Sequence, residues 1–421
     1  MSQKIRAIKG MEDLFEEQSV KIWQRVESEA RCLFEAAGFQ EIRTPIVEET
    51  ALFERGVGET TEIVEKEMYT FLDRNDKSLS LRPEGTASVV RAFIEHFTDH
   101  QVQEGRFYYI GPMFRYENPQ KGRYRQFHQI GLECFGQDHP GLDAEMIFLL
   151  DQFLRCLNVH DFELKINSLG SSECRQAYLA ALKEYFSEHR FQLGEEDQRR
   201  LERNPLRILD SKDPTSQTVI EGAPHLRDFL SEETQTHFLA VQEFLKNLGV
   251  PFTVDSRMVR GLDYYEKTVF EFVSTELGAQ NSIAGGGRYN RLVKSLGGPV
   301  VPAVGFALGM ERLTSLLSAE KLGLKNLPKV FFAALDEDSE KYFASKLPEI
   351  RQLNAMTMVD WGSTSLKSKM KRAARWGAQW VLLSGESERE KSVVVVRDME
   401  SSSQEEVPAH DMIDFLQKKF S

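Results

Sequence analysis

The sequence predicts an α+β protein of more than one domain, and three observations carry that expectation. At 421 residues the chain is too long for one ordinary hydrophobic core. Residues 106–136, RFYYIGPMFRYENPQKGRYRQFHQIGLECFG, read as two strands joined by a long polar loop. Beyond residue 328 strands and helices alternate instead, which is the pattern of a small α/β unit. LGLKNLP, at 322–328, is the natural boundary, giving expected domains at 1–325 and 329–421.

Composition narrows the class. Hydrophobic content of 41% and charged content of 28% suit a soluble globular protein. No apolar run approaches the roughly 20 residues of a membrane span, and MSQKIRAIKGMEDLF lacks the apolar core of a signal peptide. Cys32, Cys134, Cys156 and Cys174 form no CxxC pair, so neither a disulfide framework nor structural zinc is expected. A reducing, cytoplasmic setting follows. The formal net charge of −12 argues against coating nucleic acid without specificity, while leaving room for an RNA met by local basic patches.

Residues 19–37 carry apolar residues at helical spacing and stop at Gly38, a suitable C-terminal cap. A short strand broken by Pro45 follows. In LRPEGT, 81–86, Pro83 stiffens a turn and a helix is expected to begin near Glu84. A helix N-terminus favours negative charge, which would hold Glu84 ionised and ready for a substrate ammonium group. Glu84 and Thr86 would serve equally well as simple caps of that helix.

The strands Arg106–Phe114 and Phe127–Phe135 come next. Side chains alternate along a strand, so Gln129, Gly131 and Glu133 share one face. Glycine weakens a strand interior, and at Gly131 it suggests close approach by a ligand. Arg115, Lys121, Arg123 and Arg125 make the connecting loop suited to phosphates. The plainer reading is an antiparallel hairpin with a solvated basic loop.

After it, 141–157 has the pattern of an amphipathic helix and 162–170 that of a strand ending in a turn. Charged helical segments fill 171–249, with Ser172 and Ser231 as candidate caps. In MVRGLDYYEKTVFEFV, 258–273, the end alternates as a strand, while RGLDYY is unlike core sequence. Tyr264 and Tyr265 offer rigid walls with polar tips. Arg260 can fork onto a carboxylate or phosphate, or simply pair with Asp263. Gly285-Gly286-Gly287 is neither a P-loop nor a dinucleotide fingerprint, and implies a backbone that passes close to a ligand or bends sharply. Gly305 and Gly309, in PAVGFALGMERL, are expected one helical turn apart in close packing. In the C-terminal unit, Lys367, Lys369, Lys371, Arg372 and Arg375 fall within one expected helix. No acidic residue occurs between Asp360 and Glu386.

Several of these stretches together resemble the class II aminoacyl-tRNA synthetases. FRYE, the basic loop and RYRQFHQIGLECFG resemble that class's second motif, and Glu311-Arg312 resembles its third. The helix–Gly–strand–Pro order near residue 38 resembles its first. The intact LRPEGT and RGLDYY are similar in detail to the histidyl-tRNA synthetases, and the resemblance covers nearly the whole chain. It implies an antiparallel sheet flanked by helices, a helical insertion at about 171–249 that contacts the tRNA acceptor arm, and a C-terminal α/β anticodon-binding domain. It further implies a homodimer that joins L-histidine to ATP and passes the histidyl group to tRNA(His), with Mg2+ on the ATP phosphates and no protein ligand for the ion assignable.

By the same resemblance, Arg115 and Arg260 are the catalytic residues. Glu84, Thr86, Arg115, Gln129, Glu133, Arg260, Tyr264 and Tyr265 would bind histidine. Arg115, Arg123, Phe127 and Arg312 would bind ATP. Phosphate contact by the basic C-terminal helix is an alternative to a solvated face. Asn290-Arg291 departs from the family's usual Asp and Gly after the Arg-Tyr. The rival that shares the core is a non-catalytic regulatory subunit of ATP phosphoribosyltransferase, which typically lacks the C-terminal domain and has eroded active-site motifs.

Overall fold

The structure is a computed structural model that describes residues 4–58, 61–97, 104–120, 122–209, 211, 213–258, 261–278, 281–362 and 365–420. The chain divides into two compact units, Met1–Leu324 and Lys325–Ser421. The first is built on an eight-stranded sheet. Its strands run across the sheet in the order Gln40–Glu41, Gly105–Phe114, Gln126–Phe135, Ala303–Gly309, Ser282–Arg288, Glu266–Val273, Glu163–Ser168, Thr253–Val254. Every pairing among the inner six is antiparallel, and the two short edge strands pair parallel.

The expected hairpin is the backbone of this sheet, with Gly111 opposite Gln129 and Phe107 opposite Glu133. One sheet face packs on the helices Glu17–Ala36 and Pro140–Cys156, burying Val26, Ala30, Phe34, Ile147, Leu150 and Phe153 with Ile130, Leu132 and Phe306. Pro140 starts its helix where a missing N–H costs nothing, and Gly38 takes the left-handed φ of +82° just past the end of the other. The opposite face carries Gln129 and Glu133, and so holds the polar site.

Between Ser168 and Thr253 the described residues are helical or looped. Ser171, one residue before the expected Ser172, caps the helix Ser172–Glu188 by accepting from the Cys174 N–H. Ser231 caps Glu232–Asn247 as expected. Gly305 and Gly309 are a correction: both lie in the extended strand Ala303–Gly309, and the helix starts only at Met310. Period-two alternation is masked there because Ala, Gly and Phe fill both faces of a buried strand.

The second unit is a five-stranded sheet ordered Met356–Asp360, Lys329–Ala334, Trp380–Ser384, Val393–Asp398, Gln404–Pro408. The first three are parallel and the last two antiparallel. Its helix Leu366–Trp376 carries the five expected cations, but they are not one stripe. Lys369 is fully buried and donates to the Asp360 and Gly362 carbonyls and the Asp360 carboxylate. Arg372 also pairs with Asp360. Lys367, Lys371 and Arg375, spaced four apart on one face, stay exposed.

Candidate active site

A cavity of about 350 Å³ opens on the polar face of the large sheet. Glu84, Thr86, Arg115, Arg123, Phe127, Gln129, Tyr264, Tyr265 and Arg312 all line it. Two predicted residues do not appear there. Arg260, like Lys121 of the basic loop, lies outside the described residues. Glu133 is buried behind the lining, 1% exposed.

The LRPEGT turn ties the hairpin to the helix Thr86–Phe97. Glu84 caps that helix with both oxygens, taking the Thr86 and Ala87 N–H groups at 2.8 Å each. Its pKa is nevertheless raised, because burial outweighs the two backbone donors. The helix terminus favours the charged form, as the sequence suggests, but desolvation is the larger effect on this carboxyl. Next to it, Arg115 donates Nε to the Pro83 carbonyl at 2.8 Å, which fixes the stem and leaves the rest of the fork directed at the cavity it lines.

Glu133 sits at the centre of a buried network. Thr86 Oγ1 donates to Oε1 at 2.7 Å, and the Tyr289 hydroxyl donates to Oε2. Burial pushes the carboxyl up to about 8, Glu84 adds to that, and the two hydroxyl donors oppose it. Tyr289 stacks edge-on against Tyr264 at 5.6 Å, and Tyr264 lies 4.6 Å from Tyr265. Tyr289 is thus a site residue that sequence reasoning missed. Its only signal was its place after the glycine run.

The glycines serve the protein more than a ligand. A Cβ on Gly131 would stand 2.3 Å from the Tyr109 ring, so that ring, not a substrate, occupies the space over it. A Cβ on Gly286 or Gly287 would meet the Gly305 or Thr268 carbonyl at 2.2 and 2.5 Å. These two let adjacent strands approach closely. Gly285 does line the cavity, with Ala284 and Ser282. Asn290 stays compatible with this layout: its Oδ1 accepts from the Ala303 N–H at 3.1 Å. Arg291 turns away to Ser172 Oγ at 2.7 Å and Glu266 at 3.4 Å.

Cations gather on the remaining wall. The Arg115 guanidinium lies over the Phe127 ring at 5.2 Å, and Glu117 sits 3.0 Å from Arg123 and 3.9 Å from Arg115. Arg312 donates to the Gly122 and Ser282 carbonyls. Burial lowers its pKa first, and Arg123 and Arg115 lower it further. Three guanidiniums that repel one another in a part-buried wall favour a polyanion. Arg125 is a correction to the loop reading, since it is drawn onto the Tyr116 ring at 4.0 Å and is absent from the lining. Gln129 Oε1 is buried without a hydrogen-bond partner, an open acceptor in the wall. Glu311 spends both oxygens on the His128 N–H, at 2.8 and 3.0 Å. No group of three or more His, Cys, Asp or Glu side chains fit to hold a metal occurs among the described residues.

A family model for histidyl-tRNA synthetase matches residues 10–313, and one for an anticodon binding domain matches residues 329–419. The histidine–tRNA ligase of Thermodesulfovibrio yellowstonii is 45% identical over 417 residues, covering 99% of each chain. That of a Marinomonas species is 46% identical over 426 residues, covering 100% of each. The crystal structure of apo histidyl-tRNA synthetase from S. aureus matches with a TM-score of 0.76 at 33% identity, over 98% of this chain and 100% of that one. A Bacillus halodurans structure described as an ATP phosphoribosyltransferase regulatory subunit/histidyl-tRNA synthetase shares the fold, with a TM-score of 0.64 at 19% identity, over 88% of this chain and 97% of that one.

Proposed function

This chain belongs to the histidyl-tRNA synthetase family, and from that membership we propose how its residues divide the family's reaction. Its activity is that of a histidine–tRNA ligase, on a class II fold with a C-terminal anticodon-binding domain. ATP and L-histidine give histidyl-adenylate and pyrophosphate, and the histidyl group then passes to the terminal ribose of tRNA(His).

The observation that carries the residue assignment is the single cavity that collects acceptors, tyrosines and three arginines. Little covalent help is needed. A carboxylate must be held in line with the α-phosphate while charge develops, which is positioning and electrostatics. Arg115, its stem fixed on Pro83, grips the α-phosphate and the substrate carboxylate, with Arg260 assigned beside it on sequence alone. Phe127 stacks on adenine, while Arg123 and Arg312 face the phosphates. The open Gln129 Oε1, with Glu84 and Thr86, takes the substrate ammonium group. Tyr264, Tyr265 and Glu133 form the imidazole end, where Glu133 accepts a ring N–H once Thr86 or Tyr289 shifts. With no acidic cluster among the described residues to hold it, Mg2+ is given no protein ligand and would be held by the ATP phosphates.

The helical stretch 171–249 is assigned to the acceptor arm of the tRNA, and the exposed face of helix Leu366–Trp376 to RNA phosphates. A homodimer is supported by exposed apolar side chains: Leu14 and Phe15 before the first helix, Ile46, and Val47, Phe71 and Leu72 on the three-stranded sheet of Val47–Glu49, Ser78–Leu81 and Thr70–Leu72. No helix among the described residues is long and apolar enough to cross a membrane, and we place the protein in the cytoplasm.

ATP–pyrophosphate exchange with each of the twenty amino acids, without tRNA, tests the reading. Exchange with histidine alone is expected. Its absence in a folded protein that binds histidine would move the assignment to the regulatory-subunit class.

A further inference from the structure

The segment that carries Tyr264 and Tyr265 has no ladder to hold it. Residues 261–264 form bends and turns, and regular pairing starts only with the strand from Glu266. Its place is set by other ties, and the best formed of those described comes from the helical insertion. Arg175, on helix Ser172–Glu188, donates Nη1 to the Asp263 carbonyl at 3.0 Å and Nη2 to Asp263 Oδ1 at 3.4 Å.

Asp263 is gripped from the other side as well. Its N–H donates to the Val57 carbonyl at 3.3 Å. Gly58, at φ +110°, leaves the space its side chain fills, since a Cβ there would stand 2.7 Å from Asp263 Oδ2. The planar guanidinium thus reads both a backbone and a side-chain oxygen of one residue, which fixes orientation as well as position. Arg175 also lines a second cavity of about 350 Å³ with Gly261, Leu262, Arg115 and Arg123, beside the first.

We infer that Arg175 is a positioning residue for the amino-acid subsite: from the helical insertion, and through Asp263, it holds the Gly261–Tyr265 segment so that Tyr264 and Tyr265 meet the substrate side chain. The inference rests on the assignment of those tyrosines to histidine. Arg175 touches no reacting atom. Its effect falls on histidine, because the tyrosines follow Asp263 directly, while the ATP wall is anchored separately through Pro83, Gly122 and Ser282.

The test is ATP–pyrophosphate exchange by the full-length protein with Arg175→Ala, Arg175→Lys, Asp263→Asn and Tyr264→Phe. Arg175→Ala raises KM for histidine about five- to tenfold, the range of one net hydrogen bond, and leaves KM for ATP and the thermal midpoint close to wild type. Arg175→Lys recovers little, since an ammonium cannot span both oxygens. Arg175→Ala combined with Asp263→Asn costs less than the two single changes summed, because the two residues share a contact. A parallel rise in both KM values with a lowered thermal midpoint means a general structural role and overturns the inference. So does an unchanged histidine KM in Arg175→Ala when Tyr264→Phe raises it. An unchanged KM in Tyr264→Phe removes the tyrosine assignment itself, and the inference with it.

Discussion

Gly305 stands opposite Glu133 in the sheet, and a Cβ on Gly305 would lie 1.8 Å from Glu133 Oε2. The carboxyl occupies the space that a side chain would take, folded across the neighbouring strand toward Tyr289. Gly305→Ala is therefore expected to push the carboxyl out of its network. Overpacking of this kind costs about 1–3 kcal/mol in stability. KM for histidine should rise about tenfold or more while KM for ATP holds, because the residue displaced is the imidazole acceptor. Exchange kinetics on the variant, with a thermal melt beside them, check both parts. An unchanged histidine KM would detach Glu133 from the substrate.

The same carboxyl makes a pH prediction whose sign is set. Folded, Glu133 keeps its proton up to about 8, against an ordinary 4.5 for an exposed glutamate. The folded state binds more protons between those values, so this group's contribution to stability falls as pH rises from about 4.5 to about 8. Accepting an imidazole N–H is better done by the ionised form, so histidine binding should tighten from pH 7 to 8.5. Glu133→Gln should flatten both profiles. Measuring histidine KM against pH in the two proteins separates this from titration of free histidine, which is common to both.

Arg115 lies where three features of the site meet, bonded to Pro83, over the Phe127 ring and near Glu117. Arg115→Ala should slow adenylate formation by about 10²–10³-fold, as expected for loss of one stabilising donor. Arg115→Lys should fare little better, since the contact over Phe127 and the Nε bond to Pro83 go with the guanidinium. Single-turnover adenylate formation is the measurement, and a near-normal rate would remove Arg115 from the chemistry.

Much of this layout could be read from residues alone, for physical reasons. The hairpin was legible because the Gly105–Phe114 and Gln126–Phe135 strands are long, aromatic and bounded by a polar loop. The parity that put Gln129 and Glu133 on one face is a property of any strand. The errors came where a partner distant in sequence decides. Gly131 reads as ligand space until Tyr109, 22 positions earlier by number, is seen to fill it. Glu84 reads as a carboxyl favoured by the helix end because that end is visible in sequence, while the burial that raises its pKa is not. Tyr289 gave no sign beyond its place after the glycine run, because its partner, Glu133, arrives from more than 150 residues away. Buried networks such as Arg288–Asp143–His237 are likewise contacts across the fold, with no local spacing to mark them.

The C-terminal helix makes a prediction that divides its cations. Lys369, with no exposed surface, and Arg372 both rest on Asp360. Asp360→Ala should leave a buried ammonium without its counter-charge and destabilise the second unit by about 3–5 kcal/mol. Lys369→Met together with Asp360→Asn should recover much of that loss, since removing both charges avoids the orphan. Lys367, Lys371 and Arg375 stand exposed, and replacing all three by alanine should change stability by no more than about 0.5 kcal/mol for each site. The triple variant should instead raise KM for tRNA and weaken its dependence on salt, because fewer phosphates are neutralised. Histidine-dependent pyrophosphate exchange should stay normal. Aminoacylation kinetics at two salt concentrations decide the matter: equal tRNA KM values in wild type and triple variant would mean that this face is merely solvated.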